Sequence, residues 1–558
     1  MRLPRREEIS VSYLVLGAAI LVLVILVAWP MLLLFVNTVI VDSEFTTRLW
    51  REVFTRRQNY TALRNTLYIG VLVTLGSTVI GSFFAWLVGR TDLPFKGALK
   101  ALLMLPFLMP PFIGAIAWET LLSPRSGYFN KAFMSLFHTT TPLLDVFSTW
   151  GIVMVESIYF YPFVFITVAG ALERMDPTLE EAARTAGAGM LKVMKDVTLP
   201  LVSPSIMAGA LLAFAASISN FGIPLFLGME KGFFVLTTRI FIYIKTQSAS
   251  FEGLQLGATL SVFLLLASGT AIILEGRLLG GRKYAILAGK SMRPHIVELG
   301  RWKPVFLALC LVFLFVAVLA PIGSIYLVSL LKVYGQPVRW ENLTLNNYYH
   351  ELFKDSMIRG ALRNSLVLSV AAATIVMIVG SVIAYVLVKT RIKGRKVVEF
   401  FVMLPYSIPG TVVAIAMLLA WTGKYGPNLY GTLWLILAAY CAHFMALGVK
   451  SAAASLEQVH TSLEEAARVS GANWLKTFGD IVAPLIKPGL VAGWLLVFIP
   501  AFRELTTSVL LVSTHTMTIG VAIYNRLEDG YFLLATAMSG IILLLVFVGN
   551  LVITRVTR

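Results

Sequence analysis

Residues 179–204 read "LEEAARTAGAGMLKVMKDVTLPLVSP", and residues 463–488 read "LEEAARVSGANWLKTFGDIVAPLIKP". The two segments align without a gap at a shift of 284 residues, which sets Glu181 on Glu465, Gly187 on Gly471, Asp196 on Asp480 and Pro200 on Pro484. Each gathers charge, glycine and proline into a chain that is otherwise apolar. Asp176-Pro177 is an N-cap followed by proline, Ser462-x-x-Glu465 spells a capping box at the corresponding place, and Gly187 or Gly471 permits a left-handed stop, so each segment opens with a short helix. Met190, Leu191, Val193, Met194 and Val197 form a second amphipathic stretch that Pro200 is expected to close. The alanine pairs Ala182-Ala183 and Ala466-Ala467 leave the backbone open to close approach by another surface.

Hydrophobic residues make up 58% of the 558 and charged residues only 13%, far below the roughly one quarter of soluble domains. Twelve apolar stretches have about the length that crosses a bilayer's hydrocarbon core. They are residues 11–41, 65–89, 101–118, 149–172, 205–229, 254–274, 304–331, 364–388, 400–423, 425–449, 488–511 and 530–554. The first is too long and too rich in Leu, Ile and Val for a cleaved secretory segment, and is expected to be a retained helix. The fold class expected is an all-α polytopic membrane protein.

More than half of the 46 Lys and Arg residues fall in segments that a topology with both termini inside places in the cytoplasm. The net charge of +17 therefore reflects topology and contact with the lipid bilayer rather than a nucleic-acid surface. The repeat reaches beyond the signature. "ALRNTL" from Ala62 and "ALRNSL" from Ala361 lie 299 residues apart, and the same shift sets Met104-Leu105-Pro106 on Met403-Leu404-Pro405 and Pro110 on Pro409. The change of shift leaves 15 extra residues in the first half, between about Trp118 and Leu172, in an outer loop. Six spans per half make the repeats parallel. The expected division is a first transmembrane domain at 1–275, a basic linker at 276–303 and a second domain at 304–558, with signature loops near 176–204 and 460–488.

The pattern Glu-Ala-Ala, three residues, Gly, nine residues, aliphatic, one residue, Leu-Pro resembles the EAA signature of permease subunits of binding-protein-dependent ABC importers. Glu181-Ala182-Ala183, Gly187, Val197 and Leu199-Pro200 fit it fully; Glu465-Ala466-Ala467, Gly471, Ile481 and Pro484 fit with Ala483 in place of leucine. The resemblance covers the chain as a fused pair of permeases and implies the type I importer transmembrane fold in a bacterial cytoplasmic (inner) membrane. It implies that each signature is a coupling helix seated on one of two cytoplasmic ATPase subunits, through Glu180, Glu181, Ala182, Ala183 and Gly187 in one copy and Glu464, Glu465, Ala466, Ala467 and Gly471 in the other. A soluble binding protein would deliver substrate at the outer face.

No ATPase or other enzyme is expected within the chain itself. "GRKYAILAGKSM" ends like a phosphate-binding loop at Gly289-Lys290-Ser291, but Tyr284 stands where glycine is required. ATP and Mg are thus expected in the partner ATPase, with no cofactor or metal here. Ionisable residues within spans mark pathways or partners. Arg503-Glu504 falls inside the eleventh span, opposite Ser219-Asn220 at the repeat shift, and Glu156 lies in the fourth; Asn220, Arg503, Glu504 and Glu156 are candidates for the translocation pathway or a gate, or for a structural lock. His443, Cys310 and Cys441 read as packed core residues. "SNFGIPLFLG" with "FFVLTTRIFIYI", and "FRELTTSVLLV", look like ferric iron importer permeases; aminoalkylphosphonate, thiamine or polyamine are the alternatives. A gradient-driven secondary transporter has no reason to carry two EAA loops.

Overall fold

A helix in hydrocarbon must satisfy its backbone internally, so apolar segments of this length fold as long helices and show their irregularities where proline intervenes. The computed structural model describes residues 17–176, 178–246, 251–280, 296–336, 338–390, 394–405, 408–472 and 474–556. The spans, their flanking pieces and the two signature helices are, in chain order, α1 (Gly17–Val39), α2 (Arg57–Arg90), α3 (Lys96–Leu108), α4 (Pro111–Leu122), α5 (Thr149–Arg174), α6 (Thr178–Thr185), α7 (Met190–Ser219), α8 (Phe251–Leu278) and α9 (Gly300–Ser329). They continue as α10 (Ser356–Lys389), α11 (Arg395–Met403), α12 (Gly410–Trp421), α13 (Leu433–Glu457), α14 (Thr461–Val469), α15 (Gly479–Phe502) and α16 (Phe532–Val552).

Among the described residues ten helices are long and apolar enough to span a membrane, or eleven if α3 and α4 count as one. Twelve uninterrupted spans were expected, and the shortfall lies in the third segment of each half. The chain bends by 97° between α3 and α4, where Met109 and Pro110 are extended. In the second half α12 is a shorter apolar helix starting after the extended Pro409. Pro110-Pro111 and Pro409 remove helical donors and force the preceding residue out of the α region, which is why an apolar run did not become one helix.

Other prolines are absorbed. In α1, α7, α9 and α15 a π-helical turn at Val24–Ala28, Met194–Thr198, Phe315–Leu319 or Phe478–Val482 precedes Pro30, Pro200, Pro321 or Pro484. The wider turn makes room for the ring and the carbonyl that lost its donor. Pro200 therefore does not close the amphipathic stretch that begins at Met190: α7 runs through it to Ser219.

The chain forms two compact units. One comprises residues 54–239 and 263–344. Here α2 lies along α5, α7 packs on both, and the last turns of α9 cover α4, with the Ser324 hydroxyl donating to the Ala117 carbonyl at 3.3 Å. The other comprises the residues up to Val53, residues 240–262 and those from Leu345 onward. It repeats the trio with α10, α13 and α15, and covers α12 with α1, where the Tyr425 hydroxyl donates to Asn37 at 3.1 Å. In each unit the short helix after the proline break is thus covered by a helix from the other half of the sequence.

The repeat shift recurs in the elements. α4 and α12 end at Leu122 and Trp421, 299 apart, while α5 and α13 start at Thr149 and Leu433, 284 apart. The extra residues of the first half therefore lie in 123–148, which include the added helix Tyr128–Leu136. Glycine sets the close approach of the paired long helices. A Cβ at Gly81 would stand 2.7 Å from the Tyr161 carbonyl oxygen, and one at the repeat-related Gly380 3.1 Å from the Val449 nitrogen. Gly81→Leu is expected to cost about 1–3 kcal/mol by forcing α2 from α5, seen as a lower melting temperature in detergent, whereas Gly97→Leu, with open space around Gly97, should leave it unchanged.

Candidate functional site

α6 begins where Asp176 Oδ1 accepts from the Thr178 amide (2.9 Å) and hydroxyl (2.8 Å). It stops at Gly187, whose φ of 84° follows the Ala188 N–H to Ala183 O and Gly187 N–H to Arg184 O bonds of a Schellman motif. α14 stops in the same way at Gly471, φ 87°, with Ala472 N–H donating to Ala467 O. Its start differs from the capping box expected of Ser462. α14 opens at Thr461, two residues before the start that a Ser462 cap implies, and the ring nitrogen of His460 takes the capping place, accepting from the Ser462 amide and lying 2.8 Å from its hydroxyl. Pro177 and the Gly289-Lys290-Ser291 stretch of the linker lie outside the described residues.

Of the paired acidic residues of each signature, the first is buried and the second exposed. Glu180 is buried; its carboxylate accepts from the Thr198 hydroxyl at 2.7 Å and lies 3.8 Å from the Arg90 guanidinium. Glu181 and Ala182 are exposed and Ala183 is half-buried. In the second copy Glu464 is buried, 3.0 Å from Lys389 Nζ and 3.4 Å from the Tyr385 hydroxyl, while Glu465 and Ala466 are exposed and Ala467 is buried. Leu463, Ala466, Ser470, Gly471, Lys476 and Asp480 are among the residues that line a hollow of about 500 Å³ beside α14. Each signature helix thus exposes one alanine, one carboxylate and Leu179 or Leu463, a partly apolar surface.

Arg90 and Lys389, the final residues of α2 and α10, were missed by the sequence reading. Their signal was present: they stand 299 residues apart, and a cation at a helix C-terminus also suits the helix dipole. Beside Arg90, the described end of the linker pairs with the chain through a Thr91–Val297 bridge. Asp92 there accepts from Lys303 Nζ (2.6 Å) and the Leu299 amide (2.9 Å). The Lys303 hydrogen bond holds the Asp92 carboxyl below the usual carboxylate range.

Of the polar residues expected inside spans, Glu156 lies within α5 as expected, whereas Asn220, Arg503 and Glu504 sit at helix breaks. α7 ends at Ser219 and Asn220 is extended. The Asn220 side-chain amide donates to Glu156 at 3.0 Å, and Ser217 donates to the other oxygen of that carboxylate, which is fully buried. Arg503 and Glu504 are not in the middle of a span, as expected: α15 ends at Phe502 and Arg503 caps it. Pro500 weakens the last turn, and the Glu504 carboxylate accepts instead from the Thr507 amide (2.6 Å) and the Ser508 amide (2.9 Å) of the next turn. The buried Tyr440 hydroxyl interacts with Glu504 and Ser508. At the repeat shift Glu156 corresponds to Tyr440 and Asn220 to Glu504. One carboxylate serves each break, supplied by the long helix in one unit and by the break itself in the other. Cys310 and Cys441 are buried free thiols, and the His443 ring meets the Pro405 backbone.

The chain matches the model for binding-protein-dependent transport system inner membrane components over residues 77–279 and again over 376–558. It is 28% identical over 527 residues to the ferric transport system permease protein of Actinobacillus pleuropneumoniae, covering 94% of this chain and 75% of that protein. It is 24% identical over 528 residues to an Fe(3+)-transport system permease protein of Haemophilus influenzae, covering 94% and 96%. A chain of a bacterial alginate ABC transporter, solved in complex with an alginate pentasaccharide-bound periplasmic protein, aligns with 50% of this chain and 96% of its own length at 19% identity and a TM-score of 0.40.

Glu156→Ala strips two buried donors of their acceptor, an expected cost of about 1–3 kcal/mol that a thermal melt of the purified protein should register. Glu156→Gln keeps a polar partner and should melt closer to the unaltered protein.

Proposed function

The chain belongs to the binding-protein-dependent transport system inner membrane components, as the permease of an ABC importer, and on that premise we propose that its cargo is ferric iron. The observation that carries the cargo is likeness along nearly the whole chain to permeases of ferric transport, reaching 96% of the length of the Haemophilus influenzae protein. Two matches to one family model within a single chain support a fused permease that needs no second permease subunit.

In this reading both termini are cytoplasmic, so α6 and α14 face the cytoplasm and each docks on one of two ATPase subunits, which bind ATP and Mg. The outward groups of each signature, Glu181 and Ala182 or Glu465 and Ala466, with Ala183, Ala467, Gly187 and Gly471 shaping the helix, supply the contact. Glu180 and Glu464 act from beneath. Closure of the ATPase pair shifts the permease between inward-open and outward-open states, and a soluble binding protein loads the outward-open one. Ferric iron is a hard cation suited to anionic oxygen ligands. Glu156 and Glu504 place such oxygens beside Asn220 and Arg503 at the helix breaks, where the backbone is free to change course.

The test is ATP hydrolysis by the permease reconstituted in liposomes with its co-purified ATPase. The binding protein is added empty, iron-loaded, or loaded with an aminoalkylphosphonate, thiamine or spermidine. Stimulation by the ferric form alone is expected. Stimulation by another loaded form would discard iron while leaving the importer intact.

A further inference from the structure

Resting on the reading that α6 and α14 dock ATPase subunits, we propose that Arg90–Glu180 and Lys389–Glu464 are the links through which movement of each signature helix reaches the long helix beside it. The four are positioning residues for coupling. The inference stands on one arrangement found in both units. In each, the last residue of a 34-residue helix meets the first acidic residue of the signature helix, at 3.8 Å in one unit and 3.0 Å in the other. The side chains are only 2% and 5% exposed in the first pair and 6% and 10% in the second.

The details differ while the contact persists. The cation is a guanidinium in one copy and an ammonium in the other. Glu180 is braced by the Thr198 hydroxyl from the π-turn of α7. Glu464 is approached by Tyr385, and Lys389 also donates to the Val459 carbonyl at 2.6 Å, just before α14. Each pair therefore ties three pieces together: the long helix, the signature helix and the chain that leads into or out of it.

Physical chemistry makes such a tie stiff. A short surface helix on its own slides or frays, because it buries little. Drawing α6 away without α2 would leave a buried guanidinium without its counter-charge, which is strongly disfavoured. The cheaper motion carries both helices together, and α2 lies along α5, whose Glu156 holds the break after α7. The neighbouring Glu181 and Glu465 face outward and remain free for the docking contact.

The test uses the complete complex with its ATPase and binding protein, and reads uptake per ATP hydrolysed. Arg90→Gln/Glu180→Gln removes both charges without stranding either. It should still bind the ATPase and hydrolyse ATP, yet lose about tenfold in uptake per ATP, within the usual span of coupling between sites. Arg90→Lys, which gives the first unit the cation of the second, should keep the ratio. An assembled double variant with the unaltered ratio overturns the proposal. A double variant that no longer folds, judged by size-exclusion chromatography of the permease alone, also overturns it by making the pair a folding element only. A folded double variant that no longer recruits the ATPase overturns it as well, because the pair then shapes the docking surface rather than passing movement to the long helix. Failure of the unaltered permease to recruit any ATPase would strike the docking reading itself, independently of these variants.

Discussion

A peptide group that leaves its helix in an apolar layer must find a partner at once, because an unsatisfied amide there costs several kcal/mol. Among the described residues, several departures from regular helix in the spans show how that requirement is met. Where the ring of Pro30, Pro200, Pro321 or Pro484 would collide with the preceding turn, the helix widens and continues. Where the chain does turn away, side chains take over: Glu504 accepts the amides of the turn after α15, and Glu156 holds Asn220 where α7 ends. Polar residues in these segments are first of all what allows the backbone to break.

That order of priorities explains what was legible. The all-α class, the two halves and their 15-residue difference followed from apolar run lengths and two constant shifts, which depend on chain length alone. The stop of each signature helix was also legible, because glycine is the residue that takes φ near 85° without strain. Continuity was not. Pro200 sits inside a helix behind a π-turn and Pro110-Pro111 beside a sharp bend, and an apolar run with a proline reads alike in either case. Apolar composition likewise hid the interruption before α12, since a broken span is as hydrophobic as a straight one.

The twin glutamates of the signature show a second limit. As a string, Glu180-Glu181 and Glu464-Glu465 are interchangeable, and both were assigned to the docking surface. Consecutive residues on a helix point about 100° apart, so only one of each pair can look outward while the other is drawn under the helix. Which one turns inward is decided by Arg90 and Lys389, about 90 and 75 residues earlier in the chain. A motif defined by local spacing cannot contain that information, although the repeat can: the two cations align at the shift of 299 and the two carboxylates at 284.

The internal repeat also separates what the architecture demands from what one copy happened to use. Glycine stops, long-helix trios and a buried cation beneath the signature occur in both halves, with Arg exchanged for Lys. At the helix breaks the residue types trade places: Glu156 with Asn220 in one unit, Tyr440 with Glu504 in the other. A carboxylate accepting from its surroundings is kept, while the element that supplies it changes. Such an exchange is open to a side chain whose task is to satisfy a neighbouring break. It also lets the two halves differ chemically while folding alike, because moving the carboxylate from long helix to loop relocates it without removing the hydrogen bonds that hold the break.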